Sequence, residues 1–169
     1  MKTTQPDGII IYSGGATGKD FMALELVGGQ LRYLYDVGSS PRVVQVSVRH
    51  AVSDNRWHDV AILHPSLTEY ILRVDNVSKL DVLPDSRSVH FDMGEELYIG
   101  GAPRALFAVM SRQVRSKDGF QGCLASVDLD GDSRSLHEQG VDVPAEFSEQ
   151  IRDGCEGESS MIFASILKL

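Results

Sequence analysis

Several short stretches of the chain carry residue types that could do chemistry, and the first is Ser13–Phe21, SGGATGKDF. Its glycines and Gly18-Lys19 suggest a loop that cradles phosphate. Such a loop needs Gly, four residues, then Gly-Lys-Ser/Thr, because the last hydroxyl binds magnesium. Here Ser13 stands at the first glycine and Asp20 replaces the hydroxyl residue. A carboxylate repels phosphate, and the apolar alternation after Asp20 predicts a strand, not a helix whose N-terminus could help. The stretch therefore reads as a hairpin loop ending in Asp20.

The other candidates fail in similar ways. Asp128–Asp132, DLDGD, resembles the start of a calcium-binding helical loop, which requires glycine at position 6 and glutamate at position 12. Those positions hold Ser133 and Gln139, so a hairpin turn at Asp130-Gly131 accounts for it better. No Gly-x-Ser-x-Gly elbow or reactive-cysteine setting is present. Glu95-Glu96 reads as a solvated turn, and Trp57-His58 as a core aromatic beside a strand-edge histidine without a catalytic partner. His50, His58, His64, His90 and His137 are scattered, with no zinc-ligand spacing.

Two observations bear on the compartment. Cys123 and Cys155 would close a loop of about thirty residues. They are either free thiols or a disulfide, and the disulfide would contribute roughly 3 kcal/mol and belong to an oxidising environment. Asn76-Val77-Ser78 is an N-glycosylation sequon at a predicted strand end. Together they favour a secreted or ectodomain setting.

The elements that must position these residues are nearly all strands. Ile9–Tyr12, Phe21–Leu26, Gln30–Tyr35, Arg42–Val48, Trp57–Leu63, Tyr70–Asn76, Glu96–Gly101 and Gly119–Asp132 alternate or run apolar between turn signals. Only Ser135–Gln139 and Ala145–Arg152 suit short helical turns. A strand about every 10–14 residues predicts an all-β antiparallel sandwich or jelly roll. A chain of 169 residues is enough for one such domain, and a net charge of −8 disfavours nucleic acid while permitting cations. No apolar run approaches a membrane span, so no direct membrane insertion is expected; Met1-Lys2-Thr3-Thr4 does not read as a signal peptide, which does not argue for the cytosol.

In order and spacing, TTQPDGIIIYSGG, DFMALELVGGQLRYLYDVGS, NRWHDVAI, LRVDN, LYIGGAP and DGFQGCLASVDLDG resemble the laminin G-like (LG, or LNS) domain over roughly Lys2–Cys155. The resemblance implies an antiparallel β-sandwich of jelly-roll type without catalytic activity. It also implies an extracellular adhesion or receptor-binding role toward a cell-surface protein or glycan, in a parent that carries EGF-like modules. The alternative is a structural spacer of a large ectodomain. Cys123 and Cys155 match the family's C-terminal disulfide. A calcium site at one rim would take the Asp20 side chain, the Val37 carbonyl, the His90 carbonyl and the Asp92 side chain. Calcium's demand for mixed carboxylate, carbonyl and water oxygens suits that set, although either aspartate could be a plain turn residue.

Members of the family normally begin with a strand ahead of the TTQPDG segment. The tail at 156–169, following a domain at 1–155, either leads toward a following domain or supplies that missing opening strand, which its segment Ser159–Leu169 (SSMIFASILKL) resembles. Met161–Leu169 is expected to pair with Ile9–Tyr12, within one chain or across two in a strand-exchanged dimer.

Overall fold

The computed structural model describes residues 1–14, 20–38, 40–84, 96–125, 127–129, 132–134, 141–142 and 165–168. The expected helical turns at Ser135–Gln139 and Ala145–Arg152 lie outside the described residues. Strands β1 (Gly8–Gly14), β2 (Phe21–Val27), β3 (Gln30–Asp36) and β4 (Arg42–Gln45) form a meander, followed by β5 (Val60–Ser66), β6 (Glu69–Val74) and β7 (Val77–Val82). Beyond them come β8 (Glu96–Ile99), a 3-10 turn at Arg104–Ala108, β9 (Val127–Leu129), β10 (Asp132–Arg134), β11 (Val141–Asp142) and β12 (Ser165–Lys168). One sheet runs β11-β12-β8-β1-β2-β3-β4, another β5-β6-β7, and β9-β10 is a hairpin. Every pairing between these strands is antiparallel.

Alternation gives the large sheet two different faces. Leu24, Leu26, Leu31, Tyr33, Tyr35 and Val44 point one way and meet Tyr70, Leu72 and Val74 of the smaller sheet. This is the sandwich core, as the period-two pattern predicts. Ile9, Tyr12, Phe21, Ala23, Leu34 and Tyr98 point the other way and are covered by Met110 and Val114, with Ala102, Leu106 and Phe107 alongside. In β1, Ile9 pairs with Glu25 and Ile11 with Leu24, which leaves Ile10 as a bulge turned into the sandwich core.

A buried ion pair fastens that covering segment to the sheet. Glu25 faces Arg32 across the β2–β3 ladder and is fully buried. One carboxylate oxygen accepts from Arg32 Nη1. The other accepts the backbone N–H groups of Arg115 (2.9 Å) and Ser116 (2.8 Å). Burial pushes the Glu25 carboxyl up, and the Ser116 amide, Arg32 and the Arg115 amide pull it back. The charge is therefore tolerated only while these partners are in place.

Two expectations are corrected here. Trp57 is not a core aromatic, being 52% exposed, and β5 begins only at Val60. The backbone around it is committed elsewhere: the His58 N–H donates to Met1 O and the Asp59 carbonyl accepts from the Asp75 N–H. The tail strand β12 joins the large sheet but pairs with β8 on one side and β11 on the other, not with Ile9–Tyr12. The edge of β1 facing the tail is already occupied by β8, through Ile11–Ile99 and Tyr12–Tyr98.

His58 does have partners. Its Nδ1 lies 2.9 Å from Asp75 Oδ2 and its Nε2 lies 3.0 Å from Asp54 Oδ1, which clamps the 54–59 loop to the β6–β7 turn. Burial works against the charged ring, but the two carboxylates outweigh it and raise the His58 pKa. The His58 hydrogen bond holds Asp54 below its ordinary range; for Asp75, burial opposes the shift but His58 and the Asp59 N–H prevail.

Two predictions follow from these contacts. Glu25→Ala strands Arg32 and two amides, so urea unfolding should show a loss of about 3–5 kcal/mol. Replacing both Glu25 and Arg32 by apolar residues should cost less than Glu25→Ala alone; a double variant as unstable as the sum of the single changes contradicts the pairing. For His58, a raised folded pKa means stabilisation complete below the unfolded value of about 6.5 and lost as pH rises through the folded value. The lowered aspartates add stabilisation that disappears only as pH falls through their folded values, below about 4. The stability difference between wild type and His58→Ala should thus be largest between about pH 4 and 6.5 and shrink above it. A difference that grows toward alkaline pH rules this out.

Candidate functional site

The β2–β3 hairpin sets the geometry of the candidate site. Its tight turn is Gly28-Gly29, both at positive φ (58° and 73°). A side chain at Gly29 would meet Ala51 Cβ at 2.6 Å, so glycine is required there on two grounds. From that turn the register runs without a break from Val27–Gln30 to Phe21–Asp36. Asp20 and Val37 are therefore the next residues past the last pair, side by side at the far pole of the sheet.

Asp20 is 7% exposed and Val37 5%. Asp36, which sequence reasoning missed, fixes the backbone between them. Its Oδ1 accepts the Gly38 N–H at 2.9 Å, an Asx turn that holds Val37 at its centre. Gly38 has φ +87°, and a Cβ there would lie 3.5 Å from Asp20 Oδ1. The positive φ is what calls for glycine there, and it completes the turn next to the Asp20 carboxylate. The Asp-x-Gly spacing of Asp36-Val37-Gly38 was the signal that could have identified Asp36.

A second contact braces this pole across the sandwich. Asp81 of β7 accepts from Arg42 Nε and Nη2, both at 2.6 Å, and from the Tyr35 hydroxyl at 2.8 Å. The Arg42 hydrogen bonds hold the Asp81 carboxyl below its usual range. Tyr35 also stacks on Tyr70 with ring centroids 3.9 Å apart. Charge-assisted bidentate bonding and stacking thus join β3, β4, β6 and β7 next to Val37.

The remaining candidates divide between described and undescribed residues. His90 and Asp92 lie outside the described residues, as do Lys19 and Cys155. β8 starts at this same pole, because its partner strand β1 ends with Gly14 opposite Phe21 and the Ser13 hydroxyl donates to the Glu96 carbonyl. The first residue of β8, Glu96, therefore lies on the Asp20 side. Gly14 pairs with Phe21, so Ser13–Phe21 joins two antiparallel strands, as its reading as a hairpin loop expects. Asp128 lies on the β9–β10 hairpin, where Leu129 pairs with Asp132. Cys123 exchanges backbone hydrogen bonds with Lys2, and no free cysteine stands among the described residues. Those residues hold no group of three or more His, Cys, Asp or Glu suited to a metal, and no helix long and apolar enough to cross a membrane.

Comparison with known proteins gives concordant results. The family model described as "Laminin G domain" matches residues 1–132. Neurexin-2 of Homo sapiens is 35% identical over 165 residues, covering 95% of this chain and 9% of that protein. Neurexin 1 of Drosophila melanogaster is 36% identical over 157 residues, covering 93% of this chain and 8% of that protein. The chain thus spans less than a tenth of either neurexin. Among solved structures, domains LG4-5 of the mouse laminin alpha1 chain align with a TM-score of 0.58 at 22% identity, over 70% of this chain and 30% of that one. The LG1-3 region of the laminin alpha2 chain gives a TM-score of 0.57 at 21% identity, over 69% and 23%. At that identity the likeness concerns the fold, and it is the jelly-roll sandwich expected from the sequence.

Proposed function

Because the chain belongs to the laminin G domain family, we propose that it is a non-enzymatic extracellular binding module whose calcium-bearing rim holds a cell-surface protein or glycan. The observation that carries this reading is the unbroken β2–β3 ladder, which ends with Asp20 beside the Asx-held Val37 and with Gly38 next to the carboxylate. The donor set suits calcium, which takes six to eight oxygens from carboxylates, carbonyls and water. Asp20 would contribute its side chain and Val37 its carbonyl, joined by the His90 carbonyl and the Asp92 side chain. Bound there, calcium would supply open coordination positions for a ligand oxygen.

The protein's own part is to preorganise the rim. Asp36 locks the turn that carries the Val37 carbonyl. The Arg42–Asp81 clamp keeps the second sheet from shifting beneath it. Two side-chain carboxylates make a sparse cage, so affinity belongs in the weak range of extracellular modules, about 10⁻⁴–10⁻³ M. Cys123 and Cys155 form the family's C-terminal disulfide in this reading, which anchors the chain beyond the Lys2–Cys123 bridge and suits an oxidising exterior.

Calcium titration by calorimetry tests the assignment. Wild type should bind in the stated range, while Asp20→Ala should give no binding heat with an unchanged circular-dichroism spectrum. Equal affinity in the two proteins removes Asp20 from the site. No calcium heat in wild type would leave the module as a spacer without this ligand mechanism.

A further inference from the structure

From the β6–β7 turn we infer that Asn76 is an N-glycosylation site, carrying its sugar at the pole opposite Asp20 and Val37. Asn76 and Val77 are exposed, and so is Ser78, whose hydroxyl completes the acceptor tripeptide. A sequon is common by chance; the geometry distinguishes this one. The turn between Val74 and Val77 has two residues, and Asp75 takes the strained position at φ +51°. Asp75 is fully engaged: its N–H donates to Asp59 O (2.7 Å), its Oδ1 accepts the Asp59 N–H (2.9 Å) and its Oδ2 meets His58. Asn76 is left at the apex, and among the described residues no hydrogen bond engages its side-chain amide. The fold thus holds the turn through one residue and presents the other.

The chemistry needs one co-reactant, an oligosaccharide carried on a polyprenyl diphosphate. The Asn76 amide nitrogen attacks the anomeric carbon of the first sugar. A C–N bond forms as the C–O bond to the diphosphate breaks; the lipid diphosphate leaves with the electron pair, and the amide gives up one proton. Nothing is oxidised or reduced.

Placement follows from the strand directions. β6 leaves the Asp81 and Tyr35 pole at Glu69 and reaches the tip after six residues, about 20 Å away. There the turn meets the 54–59 loop, which reaches Thr3 through the Asn55 N–H, while Val52 bonds to Gly29 of the β2–β3 turn. A glycan at Asn76 therefore shields the Gly28-Gly29 pole and leaves the Asp20 rim uncovered. The inference stands whether or not calcium binds at that rim.

The test is secretion of the chain behind a leader peptide from a eukaryotic host, followed by intact-mass measurement. The expected result is a mass above that of the polypeptide, removed by an N-glycan amidase that converts Asn76 to Asp. The increment should vanish in Asn76→Gln and in Ser78→Ala and persist in Ser78→Thr. The chain's only other asparagine, Asn55, has Trp57 two residues on and should stay bare. Secreted protein with the mass of the naked chain overturns the inference, as does an increment that survives Asn76→Gln.

Discussion

The register of β2 against β3 is the constraint on which the rest of this domain depends. Gly28-Gly29 closes the hairpin so that Val27 faces Gln30, and every later pair follows. Two pairs on from the turn that register sets Glu25 opposite Arg32, and just beyond its far end it sets Asp20 beside Val37. A slip of one residue would turn each of these side chains to the other face. Glu25 would then enter the aromatic core as an unpaired charge, and Asp20 would lose its neighbour. The stabilising pair and the candidate site are thus two readouts of one ladder.

Around that ladder the molecule solves two burial problems by different means. The sandwich face is filled by stacked tyrosines, and their hydroxyls reach polar partners at the periphery: Tyr35 to Asp81 and Tyr33 to His64. That arrangement buries large aromatic area without stranding an oxygen. Among the described residues no second sheet covers the opposite face. The irregular segment Ala102–Ser116 lies over it, and its backbone polar groups cannot all bond to each other. Glu25 supplies acceptors for two of them. A buried carboxylate is weak support by itself, but here it joins Arg32 to a loop whose Arg115 and Ser116 amides would otherwise lack acceptors.

Much of this was legible in the sequence. Period-two alternation placed the meander β1–β4, the sandwich and the hairpin at Asp128–Asp132. Asp20 and Val37 were named through the resemblance to the laminin G-like domain; what the hairpin closed by Gly28-Gly29 adds is a register that ends with the two side by side. Other features were hidden for identifiable reasons. Val77–Val82 alternates too weakly, with Ser78, Lys79 and Asp81 between its apolar residues, to be recognised as a strand. Trp57 looked like core because tryptophan usually is, yet its neighbours' backbone bonds draw it into a loop. The cover at Ala102–Ser116 has no periodicity to detect, and Glu25 in an apolar strand gives no hint of partners ninety residues away. Only pairing in three dimensions could place the tail against β8 instead of β1.

That ninety-residue separation has a consequence for how the chain must be made. The contacts of β1 to β4 and of β5 to β7 are local, so they can form as soon as each hairpin emerges during synthesis. Glu25 and Arg32 are then already in place, but the segment that covers them has yet to be translated. Until Arg115 and Ser116 arrive, the nascent sheet has one finished face and one bare apolar face with a half-satisfied charge at its centre. The domain is sealed late, by its least regular part, and that interval is when it most needs protection from other chains.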